Sequence, residues 1–302
     1  MTKTLLSLCL PTNGISEWVF PVLDSVFSQN VDSSLFEVVV TDNGNNQDFY
    51  EKMHEFSKLH SNLIYKKTNA YLFENQIEAL RLANGEYLKF LNHRAILEPD
   101  SLNWMIDFIQ KYKDEKPVIY LSNGGLQLKD ILETNSFDGF VKGIRDLASW
   151  TTGVGVWKSD FEKIPNNKIS PHSDVLFAER KKDKYIINDY IWSHEIDSNH
   201  SKKGSYDLYK AFAIEEFSIT LGLYLDGDIS IETLKSVKKS YEKLLVRFYR
   251  NFNILKRPCS YNIQNFNSTI NIFFNSKKIK FLALFGIIPA GIKKILRKEL
   301  KK

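Results

Sequence analysis

The chain has 302 residues, 43% hydrophobic and 25% charged, which excludes a disordered chain and leaves room for one large packed domain or two smaller ones. Its net charge of +5 is unevenly placed: Lys277 to Lys302 carries nine Lys or Arg against one acid, Glu299, and the remainder is close to neutral. Its most basic part, Ile288 to Lys302, has no interleaved aromatics, which argues against nucleic acid as the partner.

In chain order, Met1-Thr2-Lys3 leads into only a short apolar run, so no signal peptide is expected. Thr4 to Leu10 is that run, closed by Pro11-Thr12-Asn13-Gly14, the pattern of a buried strand and a turn. Ser16 is placed to cap a helix running to about Gln29, with Trp18, Val22 and Val26 inward and Pro21 in its early turns. Phe36 to Thr41 is a Val-rich strand stopped by Asp42-Asn43-Gly44. Asp48 to His60 reads as a helix, Leu63 to Tyr65 as a short strand, Phe73 to Leu82 as a helix, and Glu86 to Leu91 as a strand. Leu102 to Tyr112 is a further helix, begun by Pro99-Asp100-Ser101, and Val118 to Ser122 a strand. Leu126 to Trp150 has no clear period. Thr152 to Lys158 reads as a glycine-bearing strand, Pro171 to Arg180 as a helix, and Tyr185 to Trp192 as a strand. After Gly204 the character changes. Asp207 to Leu225 and Ile231 to Phe252 are long amphipathic helices joined by Asp226-Gly227-Asp228. The division expected is therefore an α/β domain over 1–204 and a helical region over 205–302. Cys9 and Cys259 read as reduced thiols, and no apolar run is long enough to span a bilayer.

Strands alternating with helices predict a mainly parallel sheet with covering helices. Ligands of such sheets sit outside the carboxyl ends of the strands. Three strand ends, Pro11-Thr12-Asn13, Asp42-Asn43 and Asn92-His93-Arg94, are thus expected to line one crevice, and all three are polar.

LSLCLPTNG, FEVVVTDNG and ANGEYLKFLNHRAILEPDSL, in that order, resemble bacterial family 2 glycosyltransferases of the GT-A fold. PHSDVLFAER and KKGSYDLYKAF are similar to the subset that builds capsule, O-antigen or teichoic-acid glycans. The resemblance covers about residues 4 to 250. It implies a GT-A-like, Rossmann-type nucleotide-sugar-binding domain with a mainly parallel mixed sheet. It further implies that Pro11, Thr12 and Asn13 line the nucleotide pocket and that Asp42 accepts from the N3–H of uracil. A carboxylate is acceptor-only and so selects an edge that offers a donor. The alternative for Asp42 is an Asx-turn with Asn43-Gly44. Asn69 and Asn75 flank the helix that the family sets against the nucleotide.

The strand ending at Leu91 leads, in this family, into aspartates that hold Mg²⁺ or Mn²⁺ on the donor diphosphate. Here Asn92, His93 and Arg94 stand in their place, and the next carboxylate is Glu98. Three readings compete. The first is metal-free activity, with Arg94 and His93 supplying donors and positive charge to the diphosphate. The second is loss of catalysis, leaving a nucleotide-sugar-binding or scaffold protein of a glycan-assembly complex. The third is a metal held by His93 and distant acids. A purely structural role for Arg94 is an ion pair with Glu98, one helical turn on. Lys202 and Lys203, on the Lys-Lys-Gly-Ser-Tyr loop, are a second candidate source of charge for the diphosphate.

Inverting transfer needs one general base at the acceptor hydroxyl. The resemblance points to Asp174, in Pro171-His172-Ser173-Asp174, with His172 as alternative base or acceptor-orienting group. Helix capping by Ser173 and Asp174 is the competing explanation. His194 and His200 are weaker candidates for the acceptor side. In the tail, Ile288, Ile292, Ile295, Leu296 and Leu300 share one helical face and Lys293, Lys294, Arg297, Lys298 and Lys301 the other. That is the pattern of an interfacial helix on an anionic leaflet, and Phe281 to Ile288 is apolar enough to dip into it. The expectation is an inverting, metal-independent glycosyltransferase without a cofactor. It takes a UDP-sugar, or a related nucleotide sugar, as donor and a glycan acceptor, lipid-linked or free, and sits on the cytoplasmic face of the membrane.

Overall fold

A computed structural model describes residues 4–162, 171–196 and 206–286. The chain divides into two compact units, residues 1–197 and 198–302. The sequence division at 204 falls a few residues later, and residues 197–205 lie outside the described ones.

The first unit is built on a five-stranded sheet. Its elements in order are β1 (Leu6–Thr12), α1 (Ser16–Phe27), β2 (Phe36–Asp42), α2 (Gln47–Leu59), β3 (Leu63–Lys67), α3 (Glu74–Leu82), β4 (Tyr87–Phe90), β5 (Ala95–Leu97), α4 (Ser101–Lys111), β6 (Val118–Leu121), β7 (Leu132–Thr134), α5 (Phe137–Ile144), β8 (Gly155–Trp157), α6 (Lys158–Phe161), α7 (Pro171–Leu176), β9 (Tyr185–Asn188) and β10 (Ser193–Glu195). The sheet runs β3-β2-β1-β4-β8. The first four strands are parallel and β8 is antiparallel to β4. β5 pairs with β10, and β6, β9 and β7 form a third small sheet.

β1 and β2 are buried along nearly their whole length, because helices cover both faces of a parallel sheet. Leu6, Leu8 and Leu10 pack with Val38, Val40, Val19, Val22, Leu23 and Val26 in the main core. Such rows of apolar side chains leave no choice of register, since a one-residue slip would reverse every face. The register therefore aligns the last residues of three strands in one row: Thr12 beside Asp42, and Asp42 beside Lys67.

Local details differ from the sequence pattern in places. Ser16 does not cap α1. It is the first helical residue, and Ile15 holds the cap position with an extended backbone and no side-chain bond. α2 is capped by Asn46, whose Oδ1 accepts from Phe49 N at 3.3 Å. The strand at Tyr185 stops at Asn188, because Asp189 turns aside to accept from Ser122 Oγ, Leu126 N and Leu128 N. The stretch without a clear period, Leu126 to Trp150, contains β7, α5 and short 3-10 turns.

In the second unit, α8 (Leu208–Lys210) passes through a π-turn at Ala211–Glu215 into α9 (Glu216–Leu225), so the expected single helix is interrupted. α10 (Ile231–Phe248) is capped by Ser230 and buries Leu234, Val237, Tyr241, Leu244 and Leu245 along one stripe. α11 (Phe266–Ile270) and α12 (Ser276–Phe285) complete the described part. Edge-on aromatic contacts of Phe217 with Tyr241, Phe273 and Phe274 hold this small core. Cys9 and Cys259 are both free thiols, and burial pushes the Cys9 thiol up. No described helix is long and apolar enough to cross a membrane.

Candidate active site

The carboxyl edge of the sheet brings the three polar strand ends together, as the alternation of elements requires. Thr12 Oγ1 lies 3.0 Å from His93 Nδ1 and accepts from Gly14 N at 3.2 Å. One hydroxyl thus ties the tip of β1 to the turn after β4. The Thr12 carbonyl accepts from Asn43 N at 3.1 Å, tying β1 to β2. Gly44 completes that junction: a Cβ there would run into the Asn13 carbonyl, so only glycine lets the two turns cross.

Asp42 is fully buried. Its Oδ1 accepts from Gly44 N at 2.7 Å, which is the Asx-turn arrangement. Its Oδ2 accepts from Lys67 Nζ at 3.0 Å and Tyr65 OH at 3.1 Å. Lys67 also donates to the Gly44 carbonyl. Burial, with the Asp42 carboxylate beside it, pushes the Tyr65 phenol up. Of the nucleotide candidates, Thr12 and Asp42 are buried, Pro11 is partly buried, and Asn13 and Asn69 are exposed.

Asn75 behaves differently from the expectation of ligand contact. It is buried at the start of α3, and both its amide protons are engaged, to Thr12 O at 3.2 Å and Thr41 O at 2.8 Å. Its Oδ1 accepts from Thr68 Oγ1 at 2.8 Å. An amide offers two donors only, so both are spent in lashing the strand ends together.

At the third strand end, Asn92 Oδ1 accepts from Arg94 N at 3.0 Å and closes the turn. The His93 ring lies 5.1 Å from the buried Trp18 ring. Arg94 is buried, with its guanidinium 5.6 Å from the Trp18 ring and 3.6 Å from Glu195. The structural alternative, an Arg94–Glu98 pair, gives way to two others, Arg94 with Glu195 and His194 with Glu98 at 2.8 Å. The cause is β5: the chain continues from Arg94 as a strand, where residues four apart are separated by roughly 13 Å.

This corner does not fit a hard divalent cation. It offers one amide oxygen already used in a turn, one imidazole and one guanidinium, and like charge repels a metal. Among the described residues, no three His, Cys, Asp or Glu side chains gather as a metal would need.

α7 supplies the remaining candidates. His172 is buried, with Nδ1 3.3 Å from Gln76 Oε1 on α3, so the ring is held against the helix that carries Asn75. Ser173 Oγ donates to Ala148 O at 3.4 Å. Asp174 is partly exposed in the first turn of α7. Lys202 and Lys203 fall outside the described residues, as do His200 and the tail from 287.

Two residues that the sequence pattern passed over belong to this site. Lys67 and Tyr65 lie on β3, which extends two residues beyond the apolar run Leu63-Ile64-Tyr65. Continuing the strand through Lys67 opposite Asp42 would have revealed the pair. Beside the site, Lys89 is wholly buried in β4, donating to the carbonyls of Phe90 and Thr152 with Trp192 at 4.8 Å. Burial lowers its amine to about 7.

Comparison with known proteins agrees with this architecture. S. aureus TarS 1–349 superposes with a TM-score of 0.56 at 14% identity, over 83% of this chain and 75% of its own. A second S. aureus TarS structure gives 0.56 at 15% identity, over 92% of this chain and 52% of its own, so this chain spans about half of it. Mannosyltransferase PcManGT from Pyrobaculum calidifontis, in complex with GDP-Man and Mn²⁺, gives 0.50 at 13% identity, over 93% of this chain and 86% of its own. No curated protein matches the sequence. Such low identities establish the fold, an α/β GT-A-like arrangement with a mainly parallel mixed sheet. Residues 7–155, which contain all three polar strand ends, match glycosyl transferase family 2, and the chain is a glycosyltransferase.

Proposed function

We propose that the chain is an inverting, metal-independent glycosyltransferase that moves a sugar from a UDP-sugar to a hydroxyl of a bacterial surface glycan. The observation that carries this reading is the hydrogen-bonded row Lys67–Asp42–Gly44 and Thr12–His93 along one sheet edge, where nucleotides bind in open α/β sheets. Structures of S. aureus TarS 1–349 in complex with UDP-GlcNAc and with UDP share this fold at TM-scores of 0.55 and 0.54, which favours UDP-GlcNAc as the first donor to try.

In the proposed reaction the acceptor oxygen attacks the anomeric carbon of the donor as Asp174 takes the hydroxyl proton. The bond from that carbon to the diphosphate oxygen breaks, and UDP leaves with the electron pair. Pro11, Thr12, Asn13, Asp42 and Asn69 serve the nucleoside. Asn92 and His93, with Lys202 and Lys203, serve the diphosphate. Arg94, held by Trp18 and Glu195, adds a fixed positive charge at the strand tip. His172, buried against Gln76, orients the helix start that presents Asp174. The test is transfer from a UDP-sugar panel, UDP-GlcNAc first, in the presence of EDTA. Turnover unaffected by EDTA and lost in Asp174→Ala is expected. Turnover that requires Mn²⁺ overturns the metal-free part.

Membrane attachment through 288–302 is the second element of the proposal. Phe281 and Leu284 on α12 are more than half exposed beside Lys277, Lys278 and Lys280, a surface suited to an anionic leaflet. Sedimentation with anionic vesicles should fall when 288–302 is deleted, and equal sedimentation refutes attachment.

A further inference from the structure

Lys89 lies on β4, just before the Asn92-His93-Arg94 corner, and its side chain is wholly buried. Burial disfavours its ammonium, and among the described residues no carboxylate is bonded to it to offset that cost. A methionine of similar length would fill the same space without the penalty. The amine is held by backbone and a ring instead. It donates to the Phe90 carbonyl at 3.0 Å and to the Thr152 carbonyl, with the Trp192 ring 4.8 Å away. A buried ammonium so engaged meets no ligand, and whatever it does for the reaction it does through the backbone it holds.

The Thr152 carbonyl is the informative partner. β8 runs antiparallel to β4 with Lys89 opposite Gly155, and Phe90 N donates to the Val154 carbonyl at 3.1 Å. Continuing that register puts the 3-10 turn Thr151–Gly153 level with Leu91 and Asn92, at the carboxyl edge of the sheet. The same stretch reaches α7. Ser173 Oγ, next to Asp174, donates to the Ala148 carbonyl at 3.4 Å, and α7 packs on β8 and on the 3-10 turn Arg145–Ser149. Residues 145–153 therefore bridge the tip of β4 and the helix that carries the proposed base. Tyr120, on β6, pins this bridge from one side by donating to the Leu147 carbonyl, and a Cβ on Gly153 would run into its ring. Lys89 pins it from the side of β4, with a charge-assisted bond about twice as strong as a neutral one.

We infer that Lys89 is a positioning residue for transfer: by holding the Thr152 carbonyl against β4, its ammonium sets how far the base on α7 stands from the donor corner. The inference rests on the roles proposed above for α7 and for the tip of β4. In a single displacement the acceptor oxygen must reach the anomeric carbon while its proton reaches the base, and a misplacement of about 1 Å costs about 10²-fold in rate. The donor needs only the strand-tip side of the bridge. A loosened bridge therefore slows transfer without weakening the donor complex.

The experiment measures UDP release from the UDP-sugar panel, calorimetric UDP binding and thermal unfolding for the full chain, Lys89→Met and Tyr120→Phe. Lys89→Met is expected to lower kcat about 100-fold while donor KM and UDP affinity stay within about twofold of the parent. It should also melt at a higher temperature at pH 7, which a plain strut of the core would not do. Tyr120→Phe, which releases the Leu147 carbonyl, should lower kcat in the same way. Parent-like kcat in Lys89→Met overturns the inference. A fall in kcat joined to weaker UDP binding and a lower melting temperature also overturns it, showing that Lys89 only supports the core. If Lys89→Met does not fold, Tyr120→Phe decides: lowered kcat with UDP affinity kept supports the bridge, and parent-like kcat refutes it. A parent that binds UDP but releases none from any sugar of the panel refutes the proposed function on which the inference stands, whereas an active parent with an equally active Lys89→Met refutes the inference alone.

Discussion

β2 carries a buried carboxylate at each end, and the two are partnered in opposite ways. At the amino edge, Glu37 accepts from Ser7 Oγ at 2.6 Å, Asn84 N at 2.5 Å, Asn84 Nδ2 at 3.2 Å and Gly85 N at 3.3 Å. All four donors are neutral, short and fixed to β1 or to the turn between α3 and β4. At the carboxyl edge, Asp42 also has a backbone donor, but its other partners are the long side chains of Lys67 and Tyr65. A carboxylate saturated by rigid neutral donors locks two elements together. One partnered by a flexible cation can exchange that partner for a ligand. The same strand thus has a structural end and a chemical end, and the difference lies in the partners rather than in the carboxylates.

The largest test of that contrast concerns the chemical end. Asp174→Ala should reduce transfer by about 10²–10⁴-fold, measured as released UDP, while UDP affinity and melting temperature stay near the parent values. Near-normal turnover would remove Asp174 from the chemistry and leave His172 as the base to test.

Lys89 separates burial from pairing, since it is buried on β4 with carbonyl partners and no carboxylate bonded to it. Its folded amine sits at about 7, below the ordinary 10.5. The unfolded chain therefore binds the proton more tightly, and stability should rise as pH climbs from about 7 toward 10.5 and be flat below that window. At pH 7 the penalty is on the order of 4 kcal/mol. Lys89→Met should raise the melting temperature at pH 7 and flatten the rise between pH 7 and 9. A variant that is less stable at both pH values would show that the two carbonyl bonds outweigh desolvation.

At the structural end, Glu37→Gln should lower unfolding free energy by about 2 kcal/mol in urea titrations, with donor affinity of the folded protein unchanged. Altered donor affinity would show that the two ends communicate. Lys67→Met, the counterpart at the chemical end, should cost only about 1 kcal/mol, because a half-exposed cation is screened. A larger stability loss there would erase the contrast.

Several features were legible in the residues alone. The alternation of strands and helices predicted the parallel sheet, because each apolar run must bury two faces and each polar strand end must leave the core. LSLCLPTNG, FEVVVTDNG and YLKFLNHR were sufficient to gather Thr12, Asp42 and His93 at one edge. The roles of individual side chains were less legible. Asn75 was read as a nucleotide-side residue, and its bonds to the ends of β1 and β2 were not foreseen, since hydrogen-bond partners distant in sequence are invisible along the chain. The purely structural alternative for Arg94, a pair with Glu98, is not formed, because the extended β5 brings it to Glu195 instead.

What the sequence determined is the frame: which segments are strands, which ends are polar, and that asparagine, histidine and arginine follow the strand that ends at Leu91. These follow from local periodicity and side-chain chemistry, which every residue carries with it. Only tertiary structure decided which polar groups are already engaged. The register that places Lys67 beside Asp42, the packing of Trp18 against His93 and Arg94, and the burial of Lys89 depend on residues between 25 and more than 100 positions apart. Desolvation and hydrogen-bond saturation are properties of that assembled neighbourhood. They separate side chains that hold the site in place from those left to meet a substrate.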